Sequence, residues 1–232
     1  MKTYMKGDVS KWRAISKKLK YWDTEKARKI QELESRKIIQ WLLELELSKY
    51  HILEIGCGNG YLGYLIISAL RKHKIPFSYQ FTDLLSECLD KAKVNLKELS
   101  TLPEIIFNKL DVFSIDKSLG AESQEIIIST GFSSAATYKD AVPKVAKVLK
   151  PKGILICDFV NNLSLPIFLK GWQRSIQRMR LVGTNAQDSD SKYYHFGKRG
   201  IKEYFELYNL ELIKLISIGW MKNPLLAMFR KH

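Results

Sequence analysis

The chain has 232 residues, of which 46% are hydrophobic and 27% are charged, and its formal net charge is +14. This length fits one domain with an appendage and a sizeable core. No apolar run approaches the roughly 18 residues of a membrane span, and residues 1–6 do not open a secretory signal. Three cysteines, Cys57, Cys88 and Cys157, cannot all pair, which favours reduced thiols in a cytoplasmic protein.

The positive charge is distributed unevenly along the chain. Residues 1–50 carry 13 basic and 7 acidic side chains and residues 151–200 carry 8 and 3, whereas residues 51–150 are nearly balanced. A field concentrated on two segments would attract an anionic substrate or RNA. A lysine-rich composition alone produces the same excess, so an anionic partner and a solvated basic surface stay open as equal alternatives.

Residues 1–50 have a helical pattern and are predicted to form a helical arm. Apolar residues recur at spacings of three and four, with a break at Asp23 and Thr24 that suits the start of a second helix over residues 25–47. Trp22, at the end of the first stripe, is a candidate wall for a ligand pocket. The arm contains no catalytic cluster.

A short apolar run and closely spaced glycines follow the arm. Residues 52–55 are too few for a helix and predict a buried strand, and residues 61–70 predict the start of a helix. Between them the chain turns at Gly56, Gly58 and Gly60, where the missing Cβ lets the backbone approach a ligand. The sequence therefore predicts a strand, a glycine loop and a helix N-terminus.

The neighbours of this loop separate two classes of cofactor. A dinucleotide would place its pyrophosphate on the helix N-terminus. Glu54 would repel that group, whereas its carboxylate suits the ammonium and sulfonium of S-adenosylmethionine. The spacing also differs, because Gly63 rather than residue 61 would have to complete a G-x-G-x-x-G pattern. A tight turn without a ligand is the remaining alternative.

Two further acids follow predicted strands. Residues 75–83 alternate in polarity and end at Asp83, 23 residues beyond Gly60, near the offset at which an acid meets a ribose in such folds. A carboxylate there can accept both ribose hydroxyls. A helix is predicted over residues 86–99, with its first residue, a serine, as the N-cap. After a third strand, Asp111 is a candidate acceptor for an adenine amino group, unless it is only an exposed loop acid.

Residues 125–130 and 153–159 are the fourth and fifth predicted strands, separated by a helix over residues 138–149 and a turn at residues 150–153. Strand and helix alternate five times, which indicates an open, doubly wound α/β sheet. Ligands of such sheets bind beyond the carboxyl ends of the strands. Beyond residue 198 we predict a helix over residues 201–208 and an antiparallel hairpin of strands.

Residues 161–198 interrupt the alternation and are predicted to form a lid. Arg174 and Arg178 are four residues apart on a predicted helix, and guanidinium groups suit carboxylate or phosphate. Trp172 and Phe132 are candidates for an apolar wall around a substrate. A solvated helix face and ordinary core packing are the respective alternatives.

Two residues are candidates for a general base, which methyl transfer needs only when the nucleophile must lose a proton. His195 lies between two aromatic residues after the lid, and Asp158 lies near the end of the fifth strand. A surface histidine and an acid that caps a helix are the plain alternatives. No metal-ligand cluster is expected.

In this order, the segments resemble the Rossmann-like, or class I, S-adenosylmethionine-dependent methyltransferases. The matching segments are residues 53–60 for the first motif, 81–83 for the ribose-binding acid, 109–112 for the adenine motif, 126–129 for the fourth strand and 148–155 for the turn into the fifth. The resemblance implies a mostly parallel seven-stranded sheet with an antiparallel last strand. It places Glu54 at the methionine, Asp83 at the ribose, and Asp111 with Val112 at the adenine.

The resemblance extends the expected cofactor site to a longer set of residues. These are Glu54, Gly56, Cys57, Gly58, Asn59, Gly60, Asp83, Leu84, Asp111, Val112 and Ser129. At the fourth strand, residues 129–132 read Ser-Thr-Gly-Phe where enzymes that methylate base amines usually carry an Asn-Pro-Pro-Tyr-like motif. This departure argues against amino-directed adenine methylation.

We therefore expect a helical arm over residues 1–50 and an S-adenosylmethionine-dependent methyltransferase domain over residues 51–232. The first hypothesis is a small-molecule acceptor, with an anionic group as one option. The second is RNA or protein docked on the basic arm and lid. The third is a non-catalytic protein that binds the cofactor or only a partner. The sequence leaves the oligomeric state undetermined.

Overall fold

The computed structural model describes residues 24–130, 135–159, 198–218 and 225–232. The strands in these ranges are β1 (Tyr50–Ile55), β2 (Phe77–Asp83), β3 (Ile105–Lys109), β4 (Gln124–Ser129), β5 (Leu149–Phe159), β6 (Leu210–Ser217) and β7 (Leu225–Lys231). The helices are α1 (Glu25–Leu43), α2 (Tyr61–Lys72), α3 (Ser86–Asn95), α4 (Ile115–Ser118), α5 (Ala135–Val148) and α6 (Lys198–Glu206), with a 3₁₀ turn at Val112–Ser114.

The strands form one sheet in the order β3-β2-β1-β4-β5-β7-β6. Strands β1 to β5 pair in parallel, and β7 is antiparallel to both β5 and β6. The predicted doubly wound sheet and its antiparallel last strand are therefore confirmed. The direction of winding reverses between β1 and β4, which is the position at which open α/β sheets bind ligands.

Alternating side chains divide the core between the two faces of the sheet. On one face, Ile52 of β1 and Ile156 of β5 pack with residues of α1 and α2. On the other, Leu53 of β1 packs with residues of α5 and α6. Because helices cover both faces, the central strands are apolar almost throughout. Each such buried side chain contributes about 1.5–3 kcal/mol relative to an exposed one.

Helix α1 starts where the sequence predicted it and ends earlier. The Thr24 Oγ1 accepts a hydrogen bond from the Ala27 N–H at 3.3 Å, which caps the first turn. The helix ends at Leu43 rather than at residue 47. The Tyr50 hydroxyl donates to the Leu42 carbonyl at 2.8 Å and thereby joins this end to β1. Its apolar side chains belong to the same core cluster as β1.

Helix α3 differs from its prediction at both ends. It begins at Ser86, but the N-cap residue is Leu85, and Ser86 is already helical. The Asp83 Oδ1 accepts a hydrogen bond from the Leu85 N–H at 2.9 Å and so directs the chain into the helix. The helix ends at Asn95 instead of residue 99.

The turn predicted at residues 150–153 lies inside β5. Leu149 pairs with Gln124 and Ile154 pairs with Ile126, so the residues between Leu149 and Ile154 bulge out of the ladder. Lys152 has a positive φ of +63°. The Pro and Gly of this segment therefore lie in a bulge within one strand. That strand begins at Leu149 and not, as predicted, at residue 153.

Several predicted residues lie outside the described ranges. These are Trp22, Phe132, Trp172, Arg174, Arg178 and His195, together with the first predicted helix, nearly all of the lid and the turn of the C-terminal hairpin. In the part of the chain that is described, no helix is long and apolar enough to cross a membrane.

Candidate functional site

The loop between β1 and α2 depends on its glycines. Gly56, Gly58 and Gly60 have φ values of +72°, +55° and +80°, which strain any residue with a side chain. A Cβ at Gly60 would lie 2.8 Å from the Leu96 Cδ1. At Gly56 and Gly58 a Cβ would meet no atom of the described residues within 4 Å. Gly60 thus packs on α3, whereas the other two present backbone to open space.

Asp83 fixes the loop from the end of β2. Its Oδ2 accepts a hydrogen bond from the Gly58 N–H at 3.0 Å, and its Oδ1 accepts one from the Leu85 N–H at 2.9 Å. Burial raises the pKa of Asp83 above its ordinary value, against the lowering effect of these backbone donors. A carboxylate has about four acceptor positions, so this half-buried group keeps capacity for ligand hydroxyls.

Glu54 is an almost inaccessible acid, with 3% of its surface exposed. Its Oε2 accepts a hydrogen bond from the Tyr79 hydroxyl at 2.9 Å. Burial raises the pKa of Glu54 to about 8, opposed by the Tyr79 hydrogen bond and assisted by the charge of Asp83. Without a cation beside it, the Glu54 carboxyl group is therefore mostly protonated at pH 7. A cation bound at the loop would favour its ionised form.

Gly63 makes room for this carboxyl group in the first turn of α2. A Cβ at Gly63 would lie 2.6 Å from the Glu54 Oε2 and 2.3 Å from the Phe81 Cε1. Neither atom can withdraw easily, because both side chains are buried in the core. Gly63 therefore serves the packing of α2 against β1 and β2.

Three other predicted residues contribute to the shape of the loop. Cys57 is buried, its N–H donates to the Thr82 carbonyl at 2.9 Å, and burial raises the pKa of its thiol. The Asn59 Oδ1 accepts from the Tyr61 N–H at 3.2 Å at the start of α2. The Ser129 hydroxyl donates to the Ile55 carbonyl at 3.1 Å and joins the ends of β4 and β1.

Asp111 lies just beyond β3, next to the end of β2. Its Oδ1 accepts a hydrogen bond from the Phe113 N–H at 2.9 Å, which starts the 3₁₀ turn. The Leu110 N–H donates to the Asp83 carbonyl at 3.0 Å, so the two acids follow adjacent strand ends. Leu84, Asp111 and Val112 are all half-buried. The structure thus brings the predicted ribose and adenine residues to one edge of the sheet.

Helix α1 supplies polar residues that sequence reasoning missed. The Tyr61 hydroxyl donates to the Glu32 Oε1 at 3.0 Å, beside the end of the glycine loop. Gln31 and Glu34 are buried, although they are polar. Burial, and then the charge of Asp158, raise the pKa of Glu34 well above its usual range. The available signal was two polar residues, three apart, among the apolar positions of an amphipathic helix.

Asp158 also lies at this edge, as the penultimate residue of β5, and it is buried. None of the three cysteines forms a disulfide bond, and Cys57 and Cys157 are buried. In the ranges for which side chains are described, no group of three His, Cys, Asp or Glu residues is arranged to hold a metal.

The family of the chain follows from a sequence comparison that agrees with this geometry. A family model described as a methyltransferase domain matches residues 46–208, which is more than half of the chain. The chain belongs to the class I S-adenosylmethionine-dependent methyltransferases. The family and cofactor class predicted from the motifs are thereby confirmed for this methyltransferase.

The following known proteins resemble this methyltransferase at low sequence identity. The non-reducing polyketide synthase sor2 of Hypocrea jecorina (strain QM6a) is 28% identical over 105 residues, which are 45% of this chain and 4% of that protein. The CurJ carbon methyltransferase superposes with a TM-score of 0.65 at 17% identity, over 91% of this chain and 56% of the other. Magnesium protoporphyrin IX methyltransferase of Synechocystis PCC 6803, solved with bound SAH, superposes with a TM-score of 0.60 at 13% identity. This alignment covers 87% of this chain and 83% of the other.

These structural similarities, all below 25% identity, establish the fold. The chain spans only a few per cent of the length of the curated synthases that it matches.

Proposed function

We propose that this methyltransferase transfers a methyl group from S-adenosylmethionine to a small molecule. The observation that supports this most directly is the glycine loop, which is joined to Asp83 through the Gly58 N–H at 3.0 Å. Its backbone at Gly56 and Gly58 borders open space at the end of β1, beside the position where the direction of winding reverses between β1 and β4. A shaped loop of this kind has little conformational freedom to lose when a ligand binds.

Each predicted cofactor residue receives a role under this proposal. The backbone of residues 56–60, including Cys57 and Asn59, would hold the methionine portion, and Glu54 would supply a negative charge to its cationic groups. Asp83 accepts hydrogen bonds from the ribose hydroxyls. Asp111 accepts one from the adenine amino group, with Leu84 and Val112 against the ring. Ser129 holds the end of β4 against β1.

The bound cofactor supplies a sulfonium-activated methyl group and a good leaving group for in-line displacement. This chain's residues then have to align the acceptor and exclude water. We propose that the methyl acceptor is contacted by Trp22, Phe132, Trp172, Arg174 and Arg178. We propose His195 or Asp158 as the base for an acceptor that must lose a proton.

A small methyl acceptor is favoured because the relatives include proteins named as polyketide synthases and a carbon methyltransferase. We infer that residues 1–50 form an arm on the domain, and that the protein works in the cytoplasm, where cysteines that form no disulfide stay reduced. The uneven basic charge supports RNA as the second acceptor class to test.

Calorimetry with S-adenosylmethionine tests the donor half of the proposal. Wild type should bind, and Asp83→Ala and Gly58→Arg should each weaken binding at least tenfold, because one removes the ribose acceptor and the other fills the open side of the loop. Asp90→Ala, an exposed change on α3, is the matched control and should bind normally. Equal binding by all four proteins would exclude this loop as the cofactor site.

The acceptor half is tested with methyl-labelled S-adenosylmethionine and host extract separated into metabolites, RNA and protein. Label should enter the metabolite fraction. Label confined to RNA, together with binding that weakens steeply as salt rises, would replace the small-molecule proposal with the nucleic-acid one.

A further inference from the structure

Three buried polar side chains come together between α1 and the end of β5. Gln31, Glu34 and Asp158 are 8%, 3% and 5% exposed. Gln31 and Glu34 are three residues apart, so they share the buried side of the helix. The charge of Asp158 acts directly on the Glu34 carboxyl group, which places the two acids close together. We call these three residues the acceptor cluster, because their side-chain oxygens are hydrogen-bond acceptors.

The three side chains of the acceptor cluster offer several hydrogen-bond acceptor atoms and carry no positive charge of their own. The Gln31 Oε1 is buried and accepts no hydrogen bond from any residue that the structure describes. An unsatisfied buried acceptor costs about 1–3 kcal/mol. Two neighbouring buried carboxyl groups resist ionising together, and burial with this repulsion raises the pKa of Glu34. A cation with several N–H donors would remove both costs at once.

The same turns of α1 reach the glycine loop. Glu32, between Gln31 and Glu34, accepts a hydrogen bond from the Tyr61 hydroxyl at 3.0 Å. The Arg28 guanidinium lies 5.9 Å from the centre of the Tyr61 ring. Tyr61 is the first residue of α2, directly after the loop. The acceptor cluster therefore lies on the side of the sheet, and at the edge, where the methyl donor is proposed to bind.

We propose that Gln31, Glu34 and Asp158 bind a protonated amine of the methyl acceptor, so that the substrate is a small cationic or zwitterionic amine. This inference rests on the proposed methyltransferase function and adds the substrate class. An ammonium carries three N–H donors and no acceptor, which matches three acceptor side chains. Its charge also lets both carboxyl groups ionise beside it.

The test starts from host metabolites separated on a strong cation exchanger at about pH 2, where carboxyl groups are largely protonated and both cationic and zwitterionic amines carry a net positive charge, into retained and unretained fractions. Each is incubated with methyl-labelled S-adenosylmethionine and the full-length protein. Label should enter the retained, cationic fraction. Label only in the unretained fraction would overturn the amine inference and leave the methyltransferase proposal intact. No label in either fraction, from protein that binds the cofactor, would overturn both.

Variants then connect the amine to the acceptor cluster. With the retained fraction as acceptor, Glu34→Gln and Asp158→Asn should each raise the apparent KM at least tenfold. Their affinity for S-adenosylmethionine, measured by calorimetry, should stay within twofold, which also shows that they are folded. Gln31→Leu, which keeps the volume and removes the acceptor, should raise KM more modestly.

Glu25→Gln is the matched control, because Glu25 is an exposed acid in the first turn of the same helix. Its KM should equal that of wild type. If Glu34→Gln and Asp158→Asn bind the cofactor and methylate the retained fraction with wild-type KM, the acceptor cluster does not bind the substrate.

Discussion

Glu54→Gln should change how the stability of the protein depends on pH. The folded-state pKa of Glu54 is about 8, against an ordinary value of 4.5. Between these values the folded state holds a proton that the unfolded state has released, so stability falls as pH rises through this window. The slope is about 1.4 kcal/mol per pH unit, and the whole change is on the order of 5 kcal/mol. Glutamine stays neutral and removes this contribution.

Urea denaturation of the cofactor-free protein at several pH values from 5 to 8 measures this effect. The difference in unfolding free energy between Glu54→Gln and wild type should grow steadily in favour of the variant as pH rises. Other titrating groups contribute equally to both proteins, so the difference isolates Glu54. The control Glu25→Gln changes an exposed acid and should give no comparable trend. Parallel curves for Glu54→Gln and wild type would show that Glu54 ionises normally, and would refute the argument from burial.

Three further predictions concern the same region and its flanks. Cofactor binding at pH 7 should release close to one proton as Glu54 ionises, and calorimetry in buffers of different ionisation enthalpy should detect this release in wild type and not in Glu54→Gln. Gly63→Ala should lower the free energy of unfolding by about 1–3 kcal/mol, because its Cβ would lie 2.3 Å from the Phe81 Cε1. Gly120→Ala is the control: it has space for a methyl group, so its urea denaturation midpoint should stay near that of wild type. Thr24→Ala should cost about 1 kcal/mol by removing the cap of α1, and an unchanged thermal midpoint would contradict that role.

The sheet and the cofactor edge were predictable because their signals are local. Short apolar runs that end in acids specify buried parallel strands, and the positions of Glu54, Asp83 and Asp111 follow from where those strands end. The turn at residues 150–153 was recognised by its Pro and Gly, but local chemistry does not distinguish a loop from a bulge. That difference depends on whether β4 pairs with residues on both sides of the turn.

The acceptor cluster was missed for a different reason. Gln31 and Glu34 lie among the apolar positions of the amphipathic helix, but a glutamine and a glutamate are assigned to solvent when only residue type is considered. Their burial is a tertiary effect, and the neighbour whose charge acts on Glu34 is Asp158, more than 100 residues further along the chain. The Ser86 cap was also predicted from residue type alone, and the competing hydrogen bond from the Leu85 N–H to Asp83 determines the helix start.

The position of β7 has a consequence for how this domain is made. This strand follows β6 in the sequence but lies between β5 and β6 in the sheet. During synthesis β5, including the residues around Asp158, therefore lacks β7 as its antiparallel partner until residues 225–231 have left the ribosome. An unpaired strand edge is prone to wrong association. The native sheet, including the pairing that holds Asp158 of β5 in place, is completed only after nearly the whole described chain has been translated.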